Sequence, residues 1–364
     1  MDHSIIIPTR NRTSFLKALL DFYYKFNYSG TIIIGDDSDV SVYQENIKIS
    51  ESFKKVLKII HFQGPASKHK NRSYRVVKSI NQSIKLLETK YVSIRAEDDF
   101  LFPTTINKGI KFLEQNSDFA CYLSPEYKVY FNKKNKIFKY KFKPWFGCNH
   151  QDPLERCSDY SLKPNLPICG VNKTIALKNI FQLPNFTSRE PFIRDNDFTF
   201  DYFDQELLWC FVVYAHGKIF YNPKDLCGIR AEYTDPDHSW TGSTRRFGNP
   251  EFLHSSINIL SREDSSIGLK QLYDDLFYIV KINNSKYSEK IISNDIWTII
   301  SNWHSRFPGS FENNVKKKII KNSLIAKIKK LYSSLYFRDK YNLKKSENLT
   351  KFVEFWDYYI ENST

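Results

Sequence analysis

The sequence predicts an α/β protein with a doubly wound, Rossmann-like sheet flanked by helices on both faces, followed by a mainly α-helical C-terminal region. Three observations carry this. Short segments that are apolar throughout alternate with helical periodicity in the first third, the pattern of strands buried on both faces. Polar and acidic groups stand immediately after those strands, where α/β sheets bind ligands. From about residue 250 the pattern turns helical and Lys-rich.

In chain order, residues 4–7 read as the first strand and 8–12 as a loop. Thr13 or Ser14 caps a helix with Phe15, Leu16, Leu19, Leu20 and Tyr23 on one face. Residues 31–34 form a second strand running into Gly35-Asp36-Asp37-Ser38-Asp39, and residues 58–62 a third. Tyr74, Val77, Ile80, Ile84 and Leu87 mark the next helix, and residues 91–94 the fourth strand. Apolar strands separated by helices imply a parallel sheet. Segments 127–131 and 137–142 flank a basic turn and read as a hairpin. Loops over 144–167, a strand at 168–171, a helix at 203–215, a strand at 218–221 and a polar loop at 232–249 follow. This divides the chain into a catalytic domain, 1–249, with halves of about 1–125 and 126–249, and a helical region, 250–364.

Composition narrows the function. The chain has 364 residues, 41% hydrophobic, with 29 Phe and 23 Tyr, enough for a substantial core. The six cysteines show no C-x-x-C pair and no close Cys/His cluster, which argues against a disulfide scaffold or structural zinc and for reduced thiols. The N-terminus enters a strand within three residues and no run approaches about 18 apolar residues, so a cytoplasmic protein is expected. A net charge of +14 implies a polyanionic partner: nucleic acid, anionic lipid or a phosphorylated substrate. The densest charge lies on an amphipathic helix at 315–332. Val315, Ile319, Ile320, Leu324, Ile325, Ile328 and Leu331 form its stripe and lysines fill the rest. That helix fits an anionic inner membrane leaflet and fits equally well docking of its stripe on the catalytic domain. Cations remote from the acidic strand ends argue against nucleic acid.

Three strand ends carry the chemistry: Pro8-Thr9-Arg10-Asn11-Arg12, Asp36-Asp37-Ser38-Asp39, and Ala96-Glu97-Asp98-Asp99 followed by Pro103. Adjacent carboxylates repel and need a counter-charge, which Mg²⁺ or Mn²⁺ shared with diphosphate oxygens would supply. In order and at this spacing, these motifs resemble the GT-A-fold family 2 glycosyltransferases over roughly residues 3–225.

The resemblance implies a mixed GT-A sheet, a UDP- or other nucleoside-diphosphate sugar donor, and inverting transfer to a saccharide or lipid-linked acceptor in polysaccharide or glycolipid synthesis. By position, Pro8, Thr9, Arg10 and Arg12 hold the donor, and Asp36 or Asp37 contacts base or ribose. The family's Asp-x-Asp-Asp motif, aligned on Pro103, places Ala96 at the leading acid, so Asp98 becomes the metal ligand. Asp99 orients sugar hydroxyls or water, and Glu97 stands in for the missing acid. Where the family has an Arg-Asn pair this chain has Ile80-Asn81, which leaves Arg72 and Arg75 to reach the diphosphate. The catalytic base falls on Asp204, with Asp201 one turn away. In the late polar loop His238 is the second metal ligand, Arg245 a diphosphate contact and Trp240 a stacking surface for the acceptor.

Two other readings compete. A sugar nucleotidyltransferase would need a Gly-rich phosphate loop with Lys after the first strand, which Pro8–Arg12 is not. A non-enzymatic polyanion-binding protein would lack the ordered acidic strand ends.

Overall fold

The structure, a computed structural model, describes residues 1–64, 72–131, 137–143, 145–162, 165–186, 200–225, 228–233, 263–304 and 347–363. The first third comprises β1 (His3–Thr9), α1 (Thr13–Lys25), β2 (Thr31–Asp36), α2 (Val40–Phe53), β3 (Lys58–Gln63), α3 (Arg72–Lys85) and β4 (Tyr91–Ile94). Next come β5 (Asp99–Leu101), α4 (Pro103–Gln115), β6 (Phe119–Leu123), β7 (Glu126–Phe131) and β8 (Ile137–Lys143). They are followed by α5 (Pro153–Leu162), β9 (Val171–Lys173), α6 (Thr174–Lys178), α7 (Phe200–His216), β10 (Lys218–Tyr221) and β11 (Gly228–Tyr233). Three further helices are α8 (Glu263–Ile282), α9 (Glu289–His304) and α10 (Glu347–Ser363).

Seven strands form the central sheet in the order β10-β6-β9-β4-β1-β2-β3. β1 pairs in parallel with β2 and with β4, and β2 with β3. Their apolar character follows from burial on both faces. Ile6, Ile33 and Val92 face a cluster with α3, α5 and α7, whereas Ile5, Ile7, Ile32 and Ile34 face one with α1 and α4. The C-terminal helices close both layers. Leu276, Ile279, Ile292 and Ile296 of α8 and α9 join the first cluster, and Phe352, Phe355 and Trp356 of α10 the second.

The sheet is mixed, as the resemblance implied, because β9 runs antiparallel to both β4 and β6. The expected strand at 168–171 is a 3-10 turn over Pro167–Cys169, with the strand starting only at Val171. Pro167 has no amide proton for a ladder at that point. Residues 153–162 are helical where a loop was expected. Asp152 Oδ1 accepts from the Leu154 amide (2.8 Å) with Pro153 at the first helical position, a start signal present in the sequence. A second sheet, β5-β11-β7-β8, stands beyond β4, and its β7–β8 hairpin is the one expected.

Helix α3 presses closely on β2. A Cβ added at Gly35 would stand 2.0 Å from Ser79 Oγ, which is itself buried. Gly35→Ala is therefore expected to turn the Ser79 hydroxyl aside and crowd Phe62 (3.2 Å) and Ser79 Cβ (3.3 Å), lowering stability by about 1 kcal/mol. Chemical denaturation checks this, and an unchanged midpoint would show that α3 yields freely.

Candidate active site

The parallel register of β1, β2 and β4 brings their carboxyl ends to one edge, so the loops at 8–12, 36–39 and 95–99 are neighbours. Backbone bonds fix them: the Asp37 amide donates to Thr9 O (2.9 Å) and the Arg95 amide to Ile6 O (2.9 Å).

The first two loops are locked by a reciprocal pair. Asn11 Nδ2 donates to Asp39 Oδ2 and the Asp39 amide donates to Asn11 Oδ1, both at 2.9 Å. Asn11 reaches this geometry with φ of 51°, a left-handed conformation that Asn tolerates better than most residues. The two aspartates then diverge. Asp36 is wholly buried and accepts from Asn46 Nδ2 (2.8 Å), the Ser38 amide (2.9 Å) and His61 Nε2 (3.2 Å). Burial opposes its charge, but the bonds from His61, Ser38 and Asn46 outweigh it and hold the carboxyl below its usual range. These contacts commit Asp36 to the fold. Asp37 lies 3.8 Å from Arg10 Nη1 and is pushed up to about 6 by burial, with Arg10 pulling the other way. Beside it, Thr9 Oγ1 and Arg10 Nη1 are buried without a hydrogen bond to the described residues. A water or a polar ligand would complete the bonding of these two atoms.

The third loop turns sharply, the Asp99 amide donating to Ala96 O (3.0 Å) before β5 begins. The counter-charge expected here is supplied by arginines. Arg12 Nη1 lies 3.0 Å from both Glu97 Oε1 and Asp98 Oδ2, and its guanidinium sits 4.2 Å from the Phe15 ring centre. Arg230, opposite Asp99 in the β5–β11 ladder, grips both Asp99 oxygens from Nε (2.6 Å) and Nη2 (2.8 Å). Arg95 pairs with Glu126 beneath them. Burial pushes Glu97 and Asp98 upward while Arg12 draws them down. Asp98 retains 16% side-chain exposure against 3% for Glu97 and Asp99. Behind the turn, Phe100 packs against Phe352 (5.1 Å) and Trp356 (6.0 Å), so α10 buttresses the acidic strand.

This arrangement bears on a metal. Glu97, Asp98 and Asp99 do not form a three-ligand group among the described residues. A hard cation that keeps waters and diphosphate oxygens needs only one or two carboxylates, however. Asp98 fits that requirement, whereas Asp99 is committed to Arg230.

Helix α7 leads through Gly217 into β10, which is parallel to β6. The helix therefore runs against the strands and begins at their carboxyl edge. Its Trp209 Nε1 donates to Asn81 Oδ1 of α3 (3.1 Å), joining the two helices. Asp201 and Asp204 stand near the start of α7, and Arg72 and Arg75 near the start of α3. The side chains of these four, together with His238, Trp240, Arg245 and the segment 315–332, lie outside the described residues. Among the described helices none is long and apolar enough to cross a membrane.

Sequence reading missed Arg230. It is 131 residues from Asp99, and only the β5–β11 register brings the two together.

No family model matches the chain, and no curated protein does. Among solved structures, Staphylococcus aureus TarS aligns at 14% identity and TM-score 0.47, over 84% of this chain and 44% of TarS. This chain thus spans less than half of that protein. TarS 1–349 in complex with UDP-GlcNAc aligns at 12% identity and TM-score 0.46, covering 90% of this chain and 78% of that one. A mannosyltransferase from Pyrobaculum calidifontis, in complex with GDP-Man and Mn²⁺, aligns at 10% identity and TM-score 0.40, covering 99% and 85%. Likenesses of this size carry no functional argument, and the fold stands on its own strand order.

Proposed function

We propose that the chain transfers a glycosyl group from a nucleoside-diphosphate sugar to an acceptor hydroxyl, with inversion, in polysaccharide or glycolipid synthesis. The observation that carries this reading is the edge shared by three strand ends. There, Thr9 Oγ1 and Arg10 Nη1, buried atoms with no hydrogen bond among the described residues, adjoin Asp37, which Arg10 faces at 3.8 Å, next to an acidic turn held by Arg12. The nucleoside occupies the Thr9–Arg10–Asp37 side, with Pro8 shaping the loop, and the diphosphate extends toward Arg12 and Asp98. Arg72, Arg75 and Arg245 add positive charge to the diphosphate. Mg²⁺ or Mn²⁺ held by Asp98, with His238 as a further ligand, would neutralise the leaving diphosphate. Asp204 removes the acceptor hydroxyl proton as that oxygen bonds the anomeric carbon and the nucleoside diphosphate departs from the opposite face. Asp201 is the alternative base, and Trp240 stacks on the acceptor sugar. Attachment of 315–332 to an anionic membrane surface would suit a lipid-linked acceptor.

Asp37 provides a test. Accepting hydrogen bonds from base or ribose requires its ionised form, so donor affinity is expected to fall as pH drops through about 6, by up to about tenfold per pH unit. Folding responds in the opposite sense. A carboxyl raised from 3.8 to about 6 stabilises the fold below the lower value, and that contribution is lost as pH rises through the upper one. Asp37→Asn should therefore raise the melting temperature at pH 7.5 while weakening donor binding and flattening its pH profile. A profile unaltered by the substitution would exclude Asp37 from the donor site.

A further inference from the structure

At the opposite end of the central sheet from β3, the fold gathers a thiol, an imidazole and a carboxylate. Ligand atoms of Cys148, His150 and Asp159 all lie within 4.8 Å of one another. We propose that these three side chains bind a zinc-type divalent cation that fastens the 145–150 loop to α5.

The positions of the three residues are set without help from a metal. Cys148 forms a two-bond bridge with Ile219 of β10, its amide donating to Ile219 O (2.8 Å) and its carbonyl accepting from the Ile219 amide (2.9 Å). Two residues on, the His150 carbonyl accepts from Arg156 Nη1 (3.1 Å). The same buried guanidinium donates to the carbonyls of Gln151, Tyr214 and Ala215. Arg156 thus ties α5, which carries Asp159, to the loop carrying the other two ligands and to the end of α7. With these backbones fixed, binding costs mainly the freedom of the half-exposed His150 ring.

The chemistry of the set selects the cation. One sulfur, one imidazole nitrogen and one carboxylate oxygen are a borderline-soft combination that favours Zn²⁺ over Mg²⁺ or Mn²⁺. Three protein ligands leave one tetrahedral position for water, which the half-exposed His150 leaves accessible. Glu155 Oε2 adds negative charge 3.6 Å from His150 Nδ1, and is itself engaged at Oε1 by Tyr287 Oη (2.8 Å) and Lys286 Nζ (3.1 Å). Asp152, at the start of α5, accepts from the Lys286 amide (2.8 Å). The cation would therefore reinforce the place where β10, α5 and the turn between α8 and α9 meet. Cys148 and His150 are only two residues apart, which corrects the expectation of no close Cys/His cluster. Asp159 joins them through the fold.

The site is independent of the glycosyl-transfer reading, and one experiment separates them. The full chain, stripped on a chelating resin, is titrated with Zn²⁺ against a chromophoric chelator. Co²⁺ titration then tests for a thiolate charge-transfer band. The expected result is one tightly held Zn²⁺ per chain and a higher melting temperature on binding. Affinity should fall more than about tenfold in His150→Ala and Cys148→Ser, the cobalt band should vanish in Cys148→Ser, and Asp98→Ala should keep the full stoichiometry. Because His150 is half-exposed, His150→Ala is the variant expected to fold normally, which circular dichroism checks. Substoichiometric zinc in the parent chain, or equal affinity in folded His150→Ala, would overturn the proposal.

Discussion

Arg12→Ala is expected to destabilise the protein by about 3 kcal/mol at neutral pH, because it strips two largely buried carboxylates of their common partner. Arg12 Nη1 lies 3.0 Å from Glu97 and from Asp98. Burial already pushes both carboxyls up, and Arg12 is the main group opposing it in each, joined by Arg230 at Asp98. Without the guanidinium they rise further, and Glu97, the more buried, takes up a proton. The sign follows: an acid with a raised folded pKa stabilises below its unfolded value and loses that contribution as pH rises through the folded one. The deficit of Arg12→Ala should therefore be larger at pH 8.5 than at pH 6. Urea unfolding at the two values measures it. Adding Glu97→Gln should restore part of the loss at pH 8.5 and much less at pH 6. A deficit independent of pH would mean that Arg12 acts through its packing on Phe15 and not through its charge.

The second large effect is on turnover. With Asp204 as the proposed base, Asp204→Asn is expected to lower kcat by about 10²–10⁴-fold while leaving donor affinity within a few-fold, since it would remove the proton acceptor and preserve shape. The start of α7 sets this expectation. It runs against β10 and places its first turns at the carboxyl edge of the sheet, the edge that carries Asp37 and Asp98. Initial rates and donor titrations on the same preparations separate the two effects. If Asp204→Asn keeps parental kcat and Asp201→Asn loses it, the base is one turn earlier.

Much of this architecture was legible because β1, β2 and β4 are apolar throughout and each ends in a polar loop. Strands buried on both faces announce themselves in that way. Helix α2 was not legible, since its two fully buried residues are the polar Asn46 and Ser50 and its core-facing Ile49 and Phe53 are only partly buried. The antiparallel insertion of β9 was equally hidden, as a three-residue strand has no periodicity to read. At the candidate site, the neighbouring loops followed from position along the chain. The different surroundings of Asp36 and Asp37 did not. It depends on Asn46 and His61 reaching Asp36 from α2 and β3, and on Arg10 reaching Asp37. Arg230 was invisible for the same reason, because its partner is set by strand register and not by spacing.

The central claim is that the shared edge of β1, β2 and β4 binds a nucleoside-diphosphate sugar. The direct measurement is a thermal-shift panel of UDP-, GDP-, CMP- and dTDP-sugars with and without Mn²⁺, on the parent chain and on Asp98→Ala. The account predicts that one nucleotide class raises the melting temperature of the parent, with a smaller rise in Asp98→Ala. No stabilisation by any nucleotide, together with identical behaviour of Asp98→Ala, would contradict it.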